Sequence, residues 1–281
     1  MVVPVLEGIY HLENIENDLF PIYAAPYVDG VDIVIRHGLV CFNETGEVIR
    51  NMYFNQRFYD LIEVSRKFRY TIHCKVKSRT IKNEVVKEQL NHSLPNDLKL
   101  YVTDVVMDPY FNKMQLLSRV GNMTIISSYV KNRYVEILKP MEVLNKKELL
   151  SVSEIYVVSN TQYSGVTLFK DKGEYQQGFV EAHEANVVSI SFKQKLTYRI
   201  ISMDVASEHY HGNPVKVATK LWLHSSGSDL VPIDLREQYP LVLRHQIYNN
   251  LYNYMSREVI FEAMILPNFK SPKFRTLIEI I

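Results

Sequence analysis

The sequence is poor in cysteine: Cys41 and Cys74 are the two among 281 residues, and they form no C-x-x-C pair. A disulfide framework and a structural zinc site of the usual spacing are therefore not expected, which suits a reducing compartment. Charge of one sign is also lacking, since 32 Lys+Arg stand against 31 Asp+Glu for a formal net charge of +1. No global field draws such a chain onto nucleic acid or anionic lipid, so any such binding has to come from a local patch. No apolar run approaches the roughly 18 residues that span a bilayer. The start, Met1-Val2-Val3-Pro4-Val5-Leu6-Glu7, lacks a basic n-region. The expectation is a cytoplasmic protein with no membrane partner, in the host cytoplasm if the source is viral. A Gly-rich phosphate loop of Walker type, internal repeats and flexible linkers are missing too.

What is present is a composition 47% hydrophobic and 11% aromatic, enough to bury a sizeable core, most simply as two domains. β-rich runs at Val31-Asp32-Ile33-Val34-Ile35-Arg36 and Leu39-Val40-Cys41-Phe42 flank His37-Gly38 as an antiparallel meander. Phe54, Phe58, Leu61, Ile62 and Ser65 fall at helical spacing, which predicts one amphipathic helix over 51–68. Strands are expected over 70–76 and 98–106 with a short helix over 83–90 between them. A second long helix suits 113–131, and a third starts at Asn145 with Glu148 as its capping-box partner. The remainder is strand-rich, and from Tyr198 on it suggests about five strands with turns at Gly212-Asn213-Pro214 and Ser225-Ser226-Gly227-Ser228, the pattern of a small barrel.

Two other groupings are weaker. His209 and His211, two apart on an extended strand, would share a face, but no third metal ligand stands near them in sequence. His73 and Cys74 are neighbours on a strand and so point to opposite faces, which argues against a nucleophile pair. Nineteen tyrosines and a high asparagine load hint at an AT-rich genome such as that of a bacteriophage.

Six segments follow one another over about 170 residues: Ala25-Pro26-Tyr27-Val28-Asp29-Gly30-Val31, Asn43-Glu44-Thr45-Gly46, His73-Cys74-Lys75, Leu100-Tyr101-Val102-Thr103-Asp104, Tyr163-Ser164-Gly165-Val166, and Lys193-Gln194-Lys195. In order and spacing they resemble the motifs of the ATP-dependent DNA ligases, within the nucleotidyltransferase group that includes RNA ligases and mRNA capping enzymes. In that family a lysine in Lys-x-Asp-Gly takes AMP covalently. Here Asp29-Gly30 is kept and Tyr27 stands at the nucleophile position, with no lysine anywhere in 1–66. Glu44 stands where the family has its ribose-contacting arginine, Lys75 where it has a glutamate, and Ser164 where a second glutamate supports the metal. Tyr101 occupies the position that would stack on a base, and Lys-x-Lys survives as Lys193 and Lys195.

The resemblance implies an α+β fold: a nucleotidyltransferase domain of antiparallel sheets with flanking helices over 1–197, then an OB-like β-barrel over 198–281. It implies remnants of a nucleotide pocket at Asp29, Gly30, Lys75, Tyr101, Lys193 and Lys195, and a nucleic-acid patch at Lys270, Lys273, Phe274 and Arg275. Self-adenylylation needs an activated amine, carboxylates for Mg²⁺ and cations for phosphate. With the amine, the arginine and both glutamates replaced, no catalytic residue, metal site or cofactor is expected. ATP held without a covalent bond, with Tyr101 stacking and Lys193 or Lys195 on phosphate, stays open. The reading is a catalytically inactive ligase-like protein that binds nucleic acid, DNA ahead of RNA, or a replication, repair or host protein. The alternatives are a diverged but active ligase that recruits Lys75 or Lys193, and an inhibitory or structural interaction module.

Overall fold

The computed structural model describes the chain except residues 1–2, 8–9, 108–113, 161, 171–174, 177–184, 225–229, 237–238, 251–252, 254, 256–257, 267–272 and 281, with backbone alone at 10 and 273–280. The chain divides into two compact units, Met1–Ser191 and Phe192–Ile281. The boundary expected between 197 and 198 falls within a strand that begins at Lys193, a few residues beyond this division.

The first unit holds β1 (Val5–Glu7), α1 (Tyr10–Glu13), a 3₁₀ turn at Asn17–Leu19, β2 (Ile22–Tyr27), β3 (Val31–Arg36), β4 (Leu39–Phe42), α2 (Met52–Arg57), α3 (Tyr59–Phe68), β5 (Tyr70–Lys77), α4 (Asn83–Gln89), β6 (Lys99–Met107), α5 (Leu116–Tyr129), β7 (Val135–Ile137), β8 (Met141–Val143), α6 (Lys146–Ser159), β9 (Gly165–Phe169) and β10 (Val187–Ser191). Its strands form two sheets, ordered β1-β10-β9-β2-β8 and β4-β3-β5-β6-β7. Pairing is antiparallel except at β1–β10 and β6–β7, which are parallel. The second sheet buries one face: Ile33, Ile35, Ile72, Cys74, Val76, Leu100 and Val102 pack with Phe54, Phe58, Leu61 and Met123 from the helices. Alternation along β5 then sends His73 and Lys75 to the opposite face.

The one helix expected over 51–68 is two. The side-chain amide of Asn132 donates to the Arg57 carbonyl at 2.5 Å, and Phe58 leaves helical geometry at φ −110°, ψ 23°. Its ring stays buried 4.6 Å from that of Phe54. Asn145 caps α6 as expected, accepting from the Glu148 amide at 3.0 Å, while the Glu148 carboxylate accepts from Leu144 N–H at 2.9 Å, one residue before the cap.

Gly165 and Gly30 are demanded by close backbone approach. A Cβ at Gly165 would lie 1.9 Å from the Ile190 carbonyl oxygen on the neighbouring strand, and one at Gly30 would lie 2.8 Å from that of Val76.

The second unit holds β11 (Lys193–Tyr210), β12 (Asn213–His224), β13 (Leu230–Asp234), α7 (Leu241–Asn249), β14 (Glu258–Met264) and β15 (Lys273–Ile280) in one antiparallel sheet of order β13-β12-β11-β14-β15. The first strand pairs with both the second and the fourth, and a helix is inserted after the third, an OB-like arrangement. Tyr198, Ile200, Leu221, Leu223, Ile233, Ile247, Val259 and Phe261 form its core. The expected turn at residues 212–214 is narrower: β11 ends at Tyr210, and His211 (φ 49°) and Gly212 (φ 82°) make the reversal. His211 therefore does not share a strand face with His209. The turn expected at residues 225–228 lies outside the described residues. No helix among the described residues is long and apolar enough to cross a membrane.

Candidate functional site

Between the two sheets of the first unit lies a cleft of about 540 Å³, including the space open to solvent. From β2, β9 and β10 come Pro26, Tyr27, Thr167, Phe169, Val187 and Ser189. From β3, β5 and β6 come Asp32, Ile33, His73, Lys75, Thr103 and Asp104, and Val28 sits between the sheets. The polar phase of β5 thus supplies one wall and the end of β2 the other.

Tyr27 and Lys75 meet here. The Lys75 ammonium lies 5.7 Å from the centre of the Tyr27 ring and 2.7 Å from Oδ2 of Asp32. Asp32 and Lys75 are register partners on β3 and β5. Burial first, then the Asp29 and Asp32 carboxylates, pushes the Tyr27 phenol well above its ordinary range, so a phenolate is not to be had near neutral pH.

Deeper in, Asp104 pairs with Arg119 of α5, a side chain with no exposed surface. Burial raises the Asp104 carboxyl while the Arg119 guanidinium pulls it back down. The same guanidinium lies 5.9 Å from the centre of the Tyr175 ring, whose hydroxyl is 2.9 Å from His73 Nε2. Burial, helped by the positive charges of Arg119 and Arg36, lowers the His73 imidazole to about 3, so it is neutral at physiological pH. Thr167 and Ser189 share a hydrogen bond of 2.9 Å across β9 and β10, and Thr103 donates to the His73 carbonyl at 3.1 Å.

Of the residues expected to form a nucleotide pocket, Lys75 lines the cleft, together with Tyr27. Asp29 instead accepts from the side-chain amide of Asn83 at 3.3 Å, and Gly30 borders a second, shallow depression with Glu44, Asn83 and Lys87. Glu44 pairs with Lys87 at 2.8 Å. Tyr101 is a correction: it has no exposed surface and packs with Val28, Leu138 and Tyr163, so its ring is closed off from any base. Lys193 and Lys195 belong to the second unit. There Lys193 pairs with Glu262 at 3.3 Å, and Lys195 stands opposite the same glutamate in register. Lys270 lies outside the described residues. Lys273, Phe274 and Arg275 lie on β15, where the backbone alone is described, with Lys273 opposite Met264 and Phe274 opposite Ala263.

Asp32, Arg119 and Tyr175 were not singled out from the sequence, and His73 was weighed there only in a motif segment and as half of a nucleophile pair with Cys74. Asp32 lies in the polar phase of its strand, a usable signal, but its pairing with Lys75 joins β3 to the non-consecutive β5. Tyr175 reaches His73 across 102 residues, which nothing local announces.

A magnesium site of the kind the resemblance implies does not fit these residues. No three His, Cys, Asp or Glu side chains converge among the described residues, and the cleft carboxylates Asp32 and Asp104 each already face a cation.

No protein-family model matches the chain, and no curated protein matches it in sequence. Solved structures do match it in shape. The chain is similar to the Chlorella virus DNA ligase-adenylate, with 20% identity and a TM-score of 0.59 over 99% of this chain and 100% of that one. It is similar to a Lig E DNA ligase, described as binding DNA with a minimal scaffold, with 11% identity and a TM-score of 0.50 over the whole of both chains. A mycobacterial DNA ligase D complexed with ATP and MES gives 10% identity and a TM-score of 0.50 over 98% of this chain and 92% of that one. The fold is that of the ATP-dependent DNA ligases, a nucleotidyltransferase domain followed by an OB-like domain.

Proposed function

We propose that this protein has a DNA-ligase fold without nucleotidyl-transfer activity, retained as a binding module for nucleic acid, DNA ahead of RNA, in DNA metabolism. The observation that carries this reading is the Tyr27, Lys75 and Asp32 constellation. A phenol held protonated ends β2, and the ammonium beside it is 2.7 Å from a carboxylate. Capture of a nucleotide needs an amine with a lone pair free to attack the α-phosphate and a metal to spread the developing charge. An ion-paired ammonium supplies the first poorly, and these side chains suit the second badly.

Binding to DNA is supported by the likeness to DNA ligases that extends over nearly the whole chain. The charge pattern supports only modest affinity, because Lys193 and Arg199 of β11 already face Glu262 and Glu258 of β14. Fluorescence anisotropy with a nicked duplex and with single strands, at two salt concentrations, tests this. Binding that weakens as salt rises is expected, since each phosphate contact releases counterions. Failure to bind either form at low salt would contradict it and favour a protein partner.

A second reading rests on Lys75 itself, which is the amine the cleft does offer and which sits beside Tyr27. A diverged enzyme would use it as nucleophile. A covalent nucleotide adduct that vanishes in Lys75→Met would establish that version.

A further inference from the structure

On the helix-covered side of the second sheet, away from the cleft, two arginines converge on one aromatic ring. The guanidinium carbons of Arg57 and Arg133 lie 4.9 Å and 4.8 Å from the centre of the Tyr134 ring. Tyr134 packs against the core that α2, α3 and α5 share with that sheet, whereas the cleft is lined by the sheet's other face. Local structure holds the pair in place. Arg57 Nη1 donates to the Pro95 carbonyl at 2.6 Å, the Asn132 amide pins the Arg57 carbonyl, and Arg133 Nη2 donates to the Tyr134 hydroxyl at 2.7 Å. Among the described residues both guanidiniums thus bond to carbonyls and a hydroxyl, and to no carboxylate. Each carries five N–H donors, so several on each stay available. Two cations gathered at one ring repel each other, and a bound anion relieves that repulsion.

We infer, resting on the reading of this chain as a nucleic-acid-binding module, that Arg57, Arg133 and Tyr134 form an outer dock for the phosphate backbone of nucleic acid. The two guanidinium carbons stand less than twice 4.9 Å apart. A strand carries a phosphate about every 3.4 Å of helix axis, so neighbouring phosphates fall within that span. The planar fork of a guanidinium matches two phosphate oxygens, and the ring restricts each fork's motion. Exposed Lys131 and Arg79 add positive charge on the adjoining segments. The carboxylates on those segments are engaged: Asp97 accepts from Ser78 Oγ at 2.7 Å and from the Arg79 amide at 2.8 Å, and Glu136 faces Lys99 at 3.6 Å. Tyr134 serves the arginines and not a base, so the dock reads charge and not sequence. It supplies the local patch that a chain of net charge +1 requires, which Lys193 and Arg199 of β11, already facing glutamates, do not.

Fluorescence anisotropy of the full chain with nicked duplexes of two unrelated sequences, over a series of salt concentrations, tests the dock. Arg133 is exposed, so Arg133→Gln disturbs little packing. The variant is expected to bind both duplexes about tenfold more weakly at low salt. The slope of log affinity against log salt is expected to fall by about one, as for the loss of one phosphate contact. Unchanged affinity and slope in Arg133→Gln, with circular dichroism matching the unsubstituted protein, overturn the dock and leave the wider reading of nucleic-acid binding standing. Absence of binding by the unsubstituted protein at low salt sinks that reading, and the dock with it. Poly-glutamate that binds as tightly as the duplexes, and is lost in the same variant, overturns the assignment to nucleic acid in favour of an acidic protein. If Arg133→Gln does not fold, ultraviolet cross-linking of the unsubstituted protein to a thiothymidine-substituted duplex decides. Adducts in the peptides that hold Arg57 or Arg133 support the dock, and adducts confined to other peptides overturn it.

Discussion

Asp32 and Lys75 stand directly opposite each other on β3 and β5, and their side chains close a 2.7 Å ion pair on the cleft wall beside Tyr27. A cross-strand pair of opposite charge is an ordinary stabiliser of sheets. Here it also removes the cleft's available cation from service. The cleft wall thus presents an ion pair at this point, and the proposal of an inert site rests on it.

His73 is buried neutral, with its folded value lowered to about 3. The sign follows from the proton count: a depressed folded pKa gives stability that is present above the unfolded value near 6.5 and is lost as pH falls toward 3. Urea melts at pH 7 and pH 5 are expected to differ by about 2 kcal/mol from this group alone. His73→Gln is expected to flatten that part of the profile. An equal slope in the variant would contradict the assignment.

Gly165 admits no side chain, since a Cβ would stand 1.9 Å from the Ile190 carbonyl oxygen. Gly165→Ala is expected to push β9 and β10 apart and cost about 3 kcal/mol or more in a thermal or denaturant melt. Gly46→Ala is the control. Gly46 has φ 71° with open space around it, so its cost is the backbone strain of about 1–2 kcal/mol. Equal costs at the two positions would contradict the close-approach explanation.

The hydroxyl of Tyr101 is buried with no hydrogen-bond partner among the described residues. Removing an unsatisfied buried polar group relieves a desolvation cost. Tyr101→Phe is therefore expected to be neutral or stabilising by up to about 1 kcal/mol in a urea melt. A loss of stability in that variant would contradict it.

Much of the fold was legible because period and punctuation are local properties. Alternation in 31–36 and 70–76, the His37-Gly38 reversal and the Asn145 cap all rest on neighbouring residues. The break at Phe58 was not, because it depends on Asn132 binding a carbonyl 75 residues away. The site divides the same way. Tyr27 and Lys75 could be placed from motif order, but the Asp32 partner, the Arg119–Asp104 pair and the His73–Tyr175 contact arise from strand order and helix docking. Tyr101 was misplaced for a related reason: strand phase puts it on a face, yet only tertiary packing shows that Val28 and Tyr163 cover it.

The most direct test of the proposed absence of nucleotide capture is intact-mass spectrometry of the purified protein after incubation with ATP or GTP and Mg²⁺. An unchanged mass, in the unsubstituted protein and in Lys75→Met alike, is the expected result. A mass increased by one nucleoside monophosphate, mapped by peptide sequencing to Lys75 or to any other lysine, would contradict it.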